Sequence, residues 1–98
     1  AGEARADGLV VVREDGTTIE VAKERFVIGR GRHCDLVLDS SKVSREHAVL
    51  VHGPDGWFIE DLGSSNGTWH ERTRVSRKLI ADGDEFFICS ERVRCLLR

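Results

Sequence analysis

Between positions 41 and 51 the chain reads SKVSREHAVLV, so that Ser44, Arg45 and His47 bring a hydroxyl, a guanidinium and an imidazole close together just before an apolar run. Three chemistries fit such a group. Ser44 and His47 could be two parts of a hydrolase site, in which the imidazole activates the hydroxyl. Ser44 could cap a helix. The group could also form one wall of a receptor for an anion, with hydroxyl and guanidinium donors sharing the oxygens.

Two further polar clusters bear on the choice. GRGRHCD (29–35) supplies Arg30 and Arg32, and DLGSSNGT (61–68) supplies Ser64, Ser65 and Asn66. With Ser40, Ser41 and Lys42 they make an inventory of cations, hydroxyls and one amide, suited to gripping a phosphate and a short length of peptide backbone.

The elements that must hold these groups read as strands. Short runs rich in Val, Ile, Leu and Phe appear at Leu9–Val12, Thr18–Val21, Arg25–Gly29, Leu36–Leu38, His47–Val51, Trp57–Leu62, a region over Thr68–Val75, Phe86–Cys89 and Val93–Leu97. No window carries a convincing helical stripe at i, i+3, i+4, i+7. HGPDGW and ADGDE place Pro, Asp and Gly where two hairpins would turn. About ten short strands with closely spaced turns predict an antiparallel β-sandwich. The three polar clusters then all fall between strands, and loops gathered at one end of a sandwich can form a shallow site on a rigid base.

This framework removes two of the chemistries. A helix from Arg45 would have to carry Val49, Val51, Gly53 and Pro54, and β-branched residues followed by Gly-Pro favour a strand that ends in a turn. A Ser44, His47, Asp61 set would need a cleft and an oxyanion hole that nothing in the sequence supplies. GRGRHC begins like a dinucleotide-binding G-x-G-x-x-G, yet the third Gly is absent and a strand follows instead of a helix. Gly67 after Asn66 reads as the positive-φ position of a tight turn.

Composition sets the remaining limits. The chain has 98 residues, 40% hydrophobic and 33% charged, which is a single globular domain and too little for a multi-step enzyme. A formal net charge of −2 argues against general nucleic-acid binding, so an anion site must be local. No apolar run approaches a membrane span, and AGEARADG lacks a signal-peptide core, which predicts a soluble, cytoplasmic domain preceded by a flexible polar segment over residues 1–8. The absence of Met suggests a piece of a longer protein. Cys34, Cys89 and Cys95 lack C-x-x-C spacing and read as reduced core thiols, without a metal site or cofactor.

In order, the chain presents Gly29–Arg30; Cys34, Asp35 and Leu38; Val43, Ser44, Arg45 and His47 with Ala48; Asp61 with Ser64, Ser65, Asn66, Gly67 and Thr68; Val75; and Gly83–Asp84. In this order and spacing it resembles a forkhead-associated (FHA) domain from about Leu9 to Leu97. The resemblance implies an eleven-stranded β-sandwich over residues 9–98 that binds phosphothreonine peptides through loops at one end and is not an enzyme. Carried over residue by residue, Arg30 and Ser44 contact the phosphothreonine, and Arg45, Ser41 and Lys42 line the same pocket. Ser65 adds a loop contact, and Asn66 hydrogen-bonds the peptide backbone. Gly29, His47 and Gly67 support the site. The implied partner is a phosphorylated protein in Ser/Thr kinase signalling, with the isolated domain monomeric; a scaffold or dimerisation module with a vestigial phosphate site is the alternative. One departure stands out. Where the family often has a Gly-containing hairpin soon after NGT, this chain has His70–Arg72, and a two-residue turn at positive φ without Gly or Asn is costly, so either another loop shape or an extra contact is expected there.

Overall fold

The computed structural model describes residues 8–98; all but Gly8 of the expected flexible segment lies outside the described residues. Eleven strands follow one another: β1 Leu9–Arg13, β2 Thr18–Val21, β3 Arg25–Gly29, β4 Leu36–Val37, β5 Ala48–Gly53, β6 Gly56–Asp61, β7 Thr68–His70, β8 Thr73–Val75, β9 Arg77–Leu79, β10 Glu85–Ile88 and β11 Glu91–Leu97. They form a six-stranded sheet in the order β2-β1-β11-β10-β7-β8 and a five-stranded sheet in the order β4-β3-β5-β6-β9. All pairings are antiparallel except β3 with β4.

Period-two alternation explains how the sheets close on each other. Leu9 and Val11, Phe26 and Ile28, Trp57 and Ile59, Phe86 and Ile88, and Val93 and Cys95 are all buried in one cluster between the sheets. Each pair skips one residue, as a pleated strand with a single buried face requires. Burial pushes the Cys95 thiol up to about 12 and raises that of Cys34, so both stay protonated, Cys95 packing as a small apolar group in the core.

The sequence-based strands recur with shifted ends. β5 starts at Ala48, leaving His47 in the loop before it, and β10 ends at Ile88, leaving Cys89 in a turn at φ 58°. β9 has no counterpart among the expected segments, because Arg77-Lys78-Leu79 shows no apolar alternation and lies at a sheet edge. HGPDGW forms the expected hairpin, with Gly53 opposite Gly56. ADGDE does not. It carries the chain from β9 in one sheet to β10 in the other, its turn held by the Asp84 amide on Ala81 O (3.0 Å) and the Ala81 amide on Asp84 Oδ2 (2.8 Å).

Of the two outcomes expected at His70–Arg72, the different loop shape is not the one found: the chain makes the tight turn. His70 pairs with Thr73, and the two residues between them, Glu71 and Arg72, have φ of 50° and 68°. This is the twist that matches flanking strands, taken here without Gly or Asn. Replacing Glu71–Arg72 by Asn–Gly should therefore stabilise the domain by about 1 kcal/mol, the left-handed penalty being partly offset by the greater freedom of an unfolded Gly. Thermal unfolding would show this as a rise of roughly 4–8 °C; an unchanged melting temperature would mean the turn carries no strain.

Candidate functional site

Strand directions bring four connections to one end of the sandwich. β3 ends there, β5 begins there, β6 ends and β7 begins there, and β10 turns into β11 there. The connections are residues 30–35, 38–47, 62–67 and 89–90.

The β4–β5 loop is pressed onto the end of β3. The Arg30 and Gly31 amides donate to Ser44 O (2.9 Å) and Arg45 O (3.0 Å), and Cys34 Sγ also donates to Arg45 O (3.0 Å). So close is the approach that a Cβ on Gly29 would stand 2.2 Å from Arg45 O, a distance no side chain can adopt. Arg30 Nε donates to Val43 O at 3.0 Å, which fixes one edge of the guanidinium. Asn66 Nδ2 donates to Lys42 O at 2.7 Å. Two consecutive carbonyls, of Lys42 and Val43, therefore position an amide and a guanidinium on the same backbone segment.

His47 is fully buried and joins two loops. Its Nδ1 accepts the Ser44 amide (3.2 Å) while Nε2 lies 2.8 Å from Gly67 O. A carbonyl can only accept, so Nε2 carries the hydrogen and Nδ1 the lone pair. The β6–β7 loop folds around Asp61. Its carboxylate receives the Gly63 and Ser64 amides, the Ser64 hydroxyl and the Thr68 hydroxyl. Burial alone would raise this carboxyl, but the bonds from Ser64 and Thr68 outweigh it and hold Asp61 below the ordinary carboxylate range. The Ser64 hydroxyl also accepts the Gly67 amide (3.0 Å), and Gly67 takes φ of 87°.

Around this frame the exposed groups include Arg30, Ser41, Lys42, Arg45, Ser65 and Asn66, with Ser44 half-buried among them; Asp39 and Glu46 are exposed on the same connection, Glu46 against His33. Ser44 Oγ accepts the Ser65 amide at 3.3 Å, a long bond that leaves its hydroxyl hydrogen uncommitted. Neither Ser41 nor the Arg45 side chain has a hydrogen bond to another described residue. Asn66 Oδ1 is likewise open, an acceptor for a passing backbone N–H. The whole sequence-predicted set thus falls on one rim. Arg32 is exposed on the β3–β4 loop as well.

Two residues that hold the site were not singled out by sequence. Trp69 Nε1 donates to Asn66 O (2.9 Å) and Arg74 Nη2 to Ser64 O (3.1 Å), so the β7–β8 hairpin clasps the loop from outside. A Cβ on Gly67 would meet Arg74 Nε at 2.7 Å and Trp69 Nε1 at 3.0 Å. Gly67 is thus favoured by its φ, and a side chain there would displace the Arg74 guanidinium. Cys89 Sγ, 3.0 Å from Lys42 O, supports the same carbonyl that holds Asn66. Both Trp69 and Arg74 are outward-facing strand residues, and their one sequence signal is an exposed-parity Trp immediately after the loop.

A β-sandwich with cations, a hydroxyl and an amide displayed on tied loops has the form of a peptide- or anion-binding module. The FHA domain family matches residues 26–89, and the chain belongs to that family of binding modules. Transcriptional regulatory protein EmbR of Mycobacterium tuberculosis is 46% identical over 76 residues, covering 76% of this chain and 19% of EmbR. The chain therefore spans about a fifth of that relative's length. The structure of Mycobacterium tuberculosis EmbR in complex with a low-affinity phosphopeptide superposes with a TM-score of 0.87 at 33% identity, covering 92% of this chain and 24% of that one. A structure from a study of phosphothreonine-dependent FHA domain interactions gives 0.86 at 25% identity, covering 93% and 97%. Among the described residues no helix is long and apolar enough to cross a membrane.

Proposed function

We propose that this domain binds phosphothreonine-containing segments of a protein partner and so recruits that partner in Ser/Thr kinase signalling, as a cytoplasmic, monomeric module without catalytic activity. The observation that carries the reading is the pairing of Arg30 and Asn66 on the successive carbonyls of Val43 and Lys42. A phosphate brings roughly −1.5 to −2 charge and three acceptor oxygens, which suits the guanidinium and the Ser44 hydroxyl. The neutral amide of Asn66 suits a peptide backbone. Arg45, Ser41 and Lys42 extend the same rim, and Ser65 supplies a further loop contact. The phosphopeptide complex of EmbR supports the assignment.

Titration calorimetry with one peptide in three states tests it. The phosphothreonine form should bind with a Kd near micromolar, about −8 kcal/mol. The unphosphorylated form should show no measurable binding. The phosphoserine form should be weaker by several-fold, since one buried methyl is worth about 0.8 kcal/mol. Equal binding of the phosphorylated and unphosphorylated peptides would defeat the proposal.

A further inference from the structure

The outer face of the six-stranded sheet carries a row that the loop site does not use. Trp69 on β7 lies opposite Arg74 on β8 and, on its other side, opposite Phe87 on β10; Phe87 in turn lies opposite Arg92 on β11. Register partners share a face of the sheet, so Arg74, Trp69, Phe87 and Arg92 stand in line across four strands. At about 4.8 Å per strand the row is roughly 14 Å long, the reach of four or five extended residues.

This row is exposed although half of it is aromatic. Trp69 and Phe87 are 37% and 40% accessible, and the other exposed large apolar residues, Val37 and Leu79, lie apart on the opposite sheet. Adjacent exposed aromatics between cations are a recognised mark of an interaction surface. Neither Arg74 nor Arg92 forms an ion pair with another described residue, so the row is locally basic on a chain whose net charge is −2.

The row is also continuous with the proposed binding loops. It begins one residue inside the rim, because Thr68 and Ile88 pair at the strand ends and Trp69 and Phe87 come next. Trp69 and Arg74 reach back to Asn66 O and Ser64 O. A polypeptide crossing Asn66 and leaving over this side of the loop meets Trp69 directly.

We propose that the row Arg74, Trp69, Phe87, Arg92 is a second docking surface for the same partner, taking an acidic segment with aromatic or aliphatic side chains that flanks the phosphothreonine. The cations face its carboxylates, and the two rings cover its apolar groups. The inference rests on the phosphothreonine reading of the loops.

The test compares a short phosphothreonine peptide with two longer ones that add a segment alternating Asp and Leu before or after it, titrated against wild type, Phe87→Thr and Arg92→Glu. Neither the Phe87 nor the Arg92 side chain forms a hydrogen bond or ion pair with another described residue, so the short peptide should bind all three proteins alike. At least one longer peptide should bind wild type about fivefold or more tighter than the short one, and each variant should lose that gain. A short peptide that binds with no gain from either extension overturns the docking row and leaves the loop site standing. No binding by any phosphopeptide overturns the loop reading and the row together. An unphosphorylated extension that binds as tightly as the phosphorylated peptide makes the row an independent site, and a dimer dissolved by Arg92→Glu in sedimentation assigns it to self-association; either result overturns the shared partner.

Discussion

Arg30→Ala should weaken phosphothreonine-peptide binding by about a hundredfold or more, while the domain keeps its fold. The guanidinium is exposed and held at one edge by Val43 O, so its other donors meet a ligand already oriented. Charge-assisted bonds to phosphate are about twice as strong as neutral ones, and losing two of them costs on the order of 3 kcal/mol. From a micromolar start that places the Kd at about 100 µM or weaker. Stability should fall by no more than about 1 kcal/mol, because Val43 O loses a single part-buried bond. The Arg30 amide bond to Ser44 O survives the substitution. Arg30→Lys is the informative control. A lysine ammonium keeps the charge but lacks the planar fork that serves carbonyl and phosphate together, so it should recover only part of the affinity. Binding within threefold of wild type for Arg30→Ala would transfer the phosphate to Arg45, which is also exposed.

How far the sequence carried this site depends on the kind of constraint at each position. Residues proposed to display a group to the ligand, Arg30, Ser44, Arg45 and Asn66, could be picked out as candidates because a hydroxyl, a cation or an amide in a polar loop declares its chemistry by type. Strands with one buried face were legible through alternation, as at Phe26 and Ile28 or Phe86 and Ile88. What the sequence could not show was distance across the fold. Gly29 has no positive φ, and its necessity comes from the carbonyl of Arg45, sixteen positions away and 2.2 Å from where a Cβ would stand. Likewise Trp69 and Arg74 read as ordinary outward strand residues until the hairpin folds back over Gly67. The crossing at Ala81–Glu85 shows the same limit: Asp and Gly specify that the chain turns, while the choice of sheet is made by the core that Phe86 and Ile88 enter. The Glu71–Arg72 turn is the reverse case, a local preference overridden. Pairing of β7 with β8 and anchoring of Trp69 and Arg74 hold two non-Gly residues at positive φ.

His47→Ala should strongly destabilise the domain, and it separates a brace from a ligand. The imidazole is fully buried, and its removal leaves the Ser44 amide and Gly67 O without their partners. Each unpaired buried group costs about 1–3 kcal/mol, and the vacated ring volume adds to that. A loss of about 3 kcal/mol or more follows, large against the marginal stability of a domain this size. In thermal unfolding it should lower the midpoint by more than about 10 °C. Binding should fall too at temperatures where the variant is folded, since the loops bearing Ser44 and Asn66 lose their common tie. His47→Gln, whose amide can still reach Gly67 O as a donor, should recover part of both losses. Ser44→Ala makes the opposite pattern. Its hydroxyl gives the fold only the 3.3 Å bond from the Ser65 amide, so the melting temperature should stay close to wild type while phosphopeptide affinity collapses. Equal melting temperatures for His47→Ala and Ser44→Ala, with binding lost in both, would place the imidazole among the groups that touch the peptide.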